Sequence, residues 1–246
     1  MKRFLAVFAA FLAPLALSAA APLITVPVPG LPAGGAVVSQ PMQIIILLTL
    51  LTLLPAIVMS ITPFLRIAIV LHFLRQALGT QSVPSNQILI GLSLFLSFVI
   101  MQPVATEMYE KAWKPVEKGQ ITMEQAIEEG SKPLRGFLVR FVREKDVKLF
   151  LEISHSAPPR TSADLEMKVL IPAYIISELK AAFQIGAVLY LPFLIIDIIV
   201  ASVTLSIGMV QLPPVMISAP FKILLFVLID GWNLIVGSLM KSLVNP

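Results

Sequence analysis

Six charged residues stand inside otherwise apolar runs of this chain: Arg66 in the first half, and Glu178, Lys180, Asp197, Lys222 and Asp230 in the second. Side chains of these types can relay protons, bind ions or pair with one another, and each is costly in hydrocarbon unless it faces protein or a wet cavity. Glu178 with Asp197 is the combination a proton-coupled transporter would use. Nineteen residues separate them, about 28 Å along a continuous helix, which argues against direct exchange within one chain. Asp197 and Lys222 invite a salt bridge across a hairpin. With the turn centred between Leu212 and Pro213, their axial offset is about 9 Å, too far for an ideal hairpin and easier for an asymmetric turn or a neighbouring copy. For all six residues structural pairing, between helices or between subunits, is expected ahead of ion conduction.

Enzyme chemistry finds no foothold. The chain has no Gly-rich phosphate loop and no Gly-x-Ser-x-Gly, and its two histidines, His72 and His155, lie far apart in different kinds of segment. Two unsupported histidines do not make a metal site, and the absence of cysteine removes thiolate ligands and disulfides. The expectation is a protein without catalytic residues, cofactor or metal.

The segments that must position these charges are those of a membrane protein. Of 246 residues 57% are hydrophobic and 13% charged, with a mean hydropathy of +0.92, against about 25% charged in soluble chains. The net charge of +4 falls to +2 without Lys2 and Arg3, too little to call for a nucleic-acid partner. Twenty prolines in so apolar a chain indicate broken or kinked helices, tolerated at membrane depth where neighbouring protein satisfies the freed backbone groups.

In chain order, residues 1–20 have a basic start, an apolar core and small residues at the end, the pattern of a cleavable signal peptide. Residues 21–41, rich in proline, read as an extended segment. Residues 42–106 form a first helical hairpin: a run interrupted by Pro55, Pro63 and Arg66 that is a kinked helix or two short ones, a polar turn at 75–87, and a second span at 88–106. Residues 107–168 are a hydrophilic, mostly helical insertion. Thr122 resembles an N-cap there, and apolar residues including Phe137 and Phe150 recur at helical steps over 133–153. Those two phenylalanines face either the insertion's own core or another subunit. Residues 169–246 form a second hairpin, with a loop at 206–214 where Gly208, Pro213 and Pro214 stop the helix. A cleaved leader places the N-terminus and the insertion on the periplasmic side, although a count of basic residues would place the insertion inside; long loops cross largely regardless of charge. The fold class is therefore all-α, with four apolar helical regions in two kinked hairpins.

The blocks ISELKAAFQIG, LPFLIIDIIVASV, PPVMISAPFK and FVLIDGW, with RIAIVLHFLRQALGTQSVPSNQILIGLSLFLSFVIM at 66–101, closely resemble the FliP family, the membrane subunit of the flagellar type III export gate, whose injectisome relative is SctR. The resemblance runs from about residue 57 to 232. It implies a pore-forming core subunit in the bacterial inner membrane at the flagellar basal body, through which unfolded flagellar subunits leave the cell. It also implies several copies, five in the family's pattern, assembled with FliQ and FliR, and contacts with FlhB and FlhA. A methionine at the second turn alone reads as packing. The resemblance makes Met209 part of a pore gasket, with Val210 and Leu212 completing the constriction. Here the chain departs from the family, having Met209-Val210-Gln211 where several methionines commonly follow the glycine. The competing function is a four-span secondary transporter using Glu178 and Asp197.

Overall fold

The computed structural model describes residues 40–80, 82–156, 159, 161, 164–208 and 213–244. The signal-peptide segment, residues 21–39 of the extended segment, and the gasket residues Met209, Val210 and Leu212 lie outside the described residues. The chain divides into two units, Met1–Ile46 and Leu47–Pro246. Of the first, only the opening of one helix is described; everything else below belongs to the second.

That helix, α1 (Gln40–Ser60), is apolar all round. Its hydroxyls are satisfied within it, Thr52 Oγ1 donating to the Thr49 carbonyl at 2.9 Å and Ser60 Oγ to that of Ala56 at 2.7 Å, and residues such as Leu47 and Leu51 are exposed. A helix with no polar stripe is one made for an apolar surrounding. Pro63, which has no N–H to donate and pushes Thr62 out of helical geometry, ends the run. The chain bends by 71° into α2 (Phe64–Ala77). Of the two readings of this stretch, two helices rather than one kinked rod is the observed arrangement.

The face of α2 carrying Ile67, Val70, Leu71, Leu74 and Ala77, at the 3–1–3–3 spacing of one helical side, is wholly buried. Gly79, at φ +74°, turns the chain, and Ser85 caps α3 (Asn86–Met108) by accepting from the Ile88 N–H. This helix does not stop near 106. It continues through a π-helical turn (Tyr109–Trp113) to Glu117, giving 32 continuous residues. The hydrophilic section therefore begins as an extension of a span. The charges that mark it chemically hold the helix rather than break it: Lys111 pairs with Glu107 one turn back at 2.5 Å, and Trp113 Nε1 donates to Glu117 at 2.9 Å. Gly119, at φ +66°, provides the stop.

Thr122 opens α4 (Met123–Phe141) with a reciprocal capping box, its hydroxyl accepting from Gln125 N–H and the Gln125 side chain from Thr122 N–H. The helical pattern of 133–153 proves to be two helices. Val142 and Arg143 are extended, and α5 (Glu144–Ile153) starts afresh. The cause is tertiary, for the Arg143 N–H donates to Ser177 Oγ at 3.0 Å.

Ser177 belongs to α6 (Met167–Ser206), forty residues and about 60 Å long, against which α2, α4 and α5 pack. Gly186 gives it a close approach to α2: a Cβ there would lie 2.5 Å from the Phe73 ring. Gly208, at φ +79°, terminates the helix, and α7 (Pro214–Leu228) restarts with proline at its first position. The second arm is not one rod either. It turns by 66° at Ile229 and Asp230 into α8 (Gly231–Val244). Asp230 is left-handed at φ 51°, and the Phe226 ring covers Gly231 so closely that a Cβ would stand 2.3 Å from it.

All described elements are helical. Asn86–Glu117 and Met167–Ser206 are each long and apolar enough to cross a membrane, and there are up to four spans if each bent pair counts as one.

Candidate functional site

Charge is organised along α6 in two layers. In the first, α2 presents Arg66 to Glu178. Arg66 Nε donates to Glu178 Oε2 at 2.8 Å and Nη2 donates to Oε1, a two-pronged pairing that suits a planar guanidinium and a carboxylate. Arg66 is 6% exposed and Glu178 0%. The guanidinium also lies 5.2 Å from the centre of the Phe141 ring. One turn before Glu178, the Tyr174 ring packs on Phe137 at 6.4 Å, and its buried hydroxyl has no hydrogen-bond partner among the described residues.

A second polar clip adjoins this layer. Asp146 Oδ2 accepts from Ser177 Oγ at 2.6 Å and from Arg143 Nε at 2.9 Å, while Ser177 accepts from the Arg143 N–H. The clip ties the start of α5 to α6. Asp146, Ser177 and Arg143 went unremarked in the sequence, although the Ser-Glu pair at 177–178 was a signal: neighbouring polar residues in an apolar helix face two different elements.

The other layer lies nineteen residues on. Lys222 Nζ donates to Asp197 Oδ2 at 2.6 Å and Ser218 Oγ to Asp197 Oδ1 at 2.5 Å. The ideal-hairpin offset that put this pair out of comfortable reach does not hold. Asp197 stands nine residues before the end of α6, whereas Ser218 stands only four after the start of α7, so the turn is asymmetric and the lysine reaches back from the next turn. Ser218, one turn before Lys222, was the overlooked third member.

The remaining residues are dispersed. Lys180 and Asp230 are both exposed. Phe137 is 2% exposed, within the chain's own core against Phe141 and Tyr174. Phe150 is half-buried against the same core. His72 accepts from Arg75 Nη2 through Nδ1 at 3.1 Å, and His155 follows α5 at φ 50°. Among the described residues, no three His, Cys, Asp or Glu side chains gather as a metal site would require. Gly208 closes α6, and Pro213 and Pro214 open α7; Met209, Val210 and Leu212, which lie between them in sequence, are outside the described residues. Chemically, the arrangement holds helices together: each carboxylate within the apolar stretch of α6 faces a fixed cation.

The family model described as the FliP family matches residues 47–239 of this chain. Among curated proteins, the flagellar biosynthetic protein FliP of Pectobacterium carotovorum is 47% identical over 97% of this chain and 91% of its own length. That of Bacillus subtilis is 48% identical over 83% and 93% respectively, and that of Treponema pallidum 48% identical over 81% and 74%.

Proposed function

We propose, from the premise that the chain belongs to the FliP family, that it is a pore-forming core subunit of the flagellar type III export gate, conducting unfolded flagellar proteins across the inner membrane and needed for flagellum assembly. In this reading the N-terminus and insertion are periplasmic. Several copies, five by the family's pattern, assemble with FliQ and FliR and meet FlhB and FlhA. Met209, Val210 and Leu212 close the passage from the turn held by Gly208, Pro213 and Pro214. The chain itself catalyses nothing.

The observation that carries this reading is how unevenly α6 is covered. Eight of its first twenty residues are buried and two of its last twenty, so one half is a finished core and the other is bare up to the turn. A bare half with its own carboxylate already neutralised is the build of a wall segment, completed by neighbours around a passage. The transporter alternative is disfavoured by the same geometry, since Glu178 and Asp197 are each locked to a cation about 28 Å apart.

The test is a photo-crosslinking side chain in place of Met209, in cells where a flagellar substrate is stalled in export. Crosslinks to the substrate are expected. Crosslinks confined to FliR in a fully assembled complex would refute the conduit, and solute uptake by this chain alone in liposomes would favour the transporter.

A further inference from the structure

Between residues 169 and 240 the described apolar elements carry five charges. Three are settled: Glu178 on Arg66, and Asp197 with Lys222. The two left are of opposite sign. Among the described residues the Lys180 ammonium has no hydrogen bond or ion pair, and the Asp230 carboxylate accepts only from Asn233 Nδ2 at 3.1 Å.

Both stand on exposed apolar surface. Ile176 and Phe183, one turn either side of Lys180, are 37% and 54% exposed; Val227 and Leu234, beside Asp230, are 67% and 59%. A single charge in an apolar field is badly solvated by lipid and well placed at the centre of a protein contact, where burial strengthens its attraction to an opposite charge. Within one chain the two do not serve each other: among the described residues neither forms an ion pair.

We propose that Lys180 of one copy pairs with Asp230 of the next, joining α6 of each molecule to the α7/α8 corner of its neighbour. Because the two patches differ, the contact is head to tail, and every copy in a closed ring uses both. The depths agree. Ser218 sets α7 level with Asp197; from that level Lys180 is seventeen residues along α6 and Asp230 twelve along the other arm, a difference of about 8 Å at 1.5 Å per residue, most of which an extended lysine covers. The proposal rests on the multi-copy reading above and names the surface it uses.

The chain has no cysteine, which makes engineered pairs unambiguous. In full-length chain expressed with its partner subunits, the Lys180→Cys/Asp230→Cys variant should give, on mild oxidation in membranes, a ladder of covalent multimers on a non-reducing gel. Coexpression of the two single variants should stop at the dimer, which also excludes a disulfide within one chain. Reversing either charge, Lys180→Asp or Asp230→Lys, should lower the yield of assembled complex about tenfold, and the double reversal should restore it. An assembled complex of unchanged mass that yields no ladder, or reversals that leave assembly untouched, would overturn the contact while leaving the multi-copy gate standing. A wild-type chain that is monomeric beside its partners would overturn both.

Discussion

The two ion-paired layers of α6 differ in everything except charge. Arg66/Glu178 is two-pronged, shut away from solvent and surrounded by α2, α4 and the aromatic rings of Phe141 and Tyr174. Asp197/Lys222 is one-pronged, supported by one serine of α7, and leaves the Asp197 side chain 19% exposed. The first fixes a core that already exists. The second keeps a thin hairpin registered where the chain supplies no further layer, so the cost of breaking each layer measures how much of the surrounding structure this chain provides alone.

Glu178→Ala should therefore have the largest effect. It strands a buried guanidinium, at a cost of about 3–5 kcal/mol, and should appear as a marked fall in the melting temperature of the detergent-purified protein. Replacing both partners by apolar residues, Arg66→Met with Glu178→Leu, should be milder than Glu178→Ala alone, because no unpaired charge then remains. A double variant as unstable as the single would mean that the pair is not self-contained. Lys222→Ala should cost less, about 2 kcal/mol, the scale of a hydrogen bond to a charged group, because Asp197 keeps Ser218 and some exposure. If the isolated chain tolerates Lys222→Ala while the assembled complex does not, the layer belongs to the assembly; equal losses in both would place it with the core.

The same division runs through what the sequence made legible. Features set by neighbours within a few residues were readable: the Thr122 cap and the stop at Gly208. Features set from a distance were not. The break at Val142 and Arg143 depends on Ser177, thirty-four residues beyond Arg143. The extension of α3 to Glu117 was missed because hydropathy falls where its charges begin, while the backbone continues on helix-forming side chains and i,i+4 pairs. The pairing of Asp197 with Lys222 was obscured by assuming a symmetric turn.

The smallest expected effect probes the insertion, which belongs to the finished half but is tied to it locally. Thr122→Ala removes the hydroxyl that accepts from Gln125 N–H and frees the reciprocal glutamine, a loss of about 1 kcal/mol. Because α4 packs on both α3 and α6, the loss should remain at its first turn: amide exchange should quicken over residues 123–126, with that of 134–141 unchanged beside Tyr174. Exchange that quickens along all of α4 would mean that the insertion opens as one unit, and that the Arg66/Glu178 layer depends on a cap about four helical turns from Phe137.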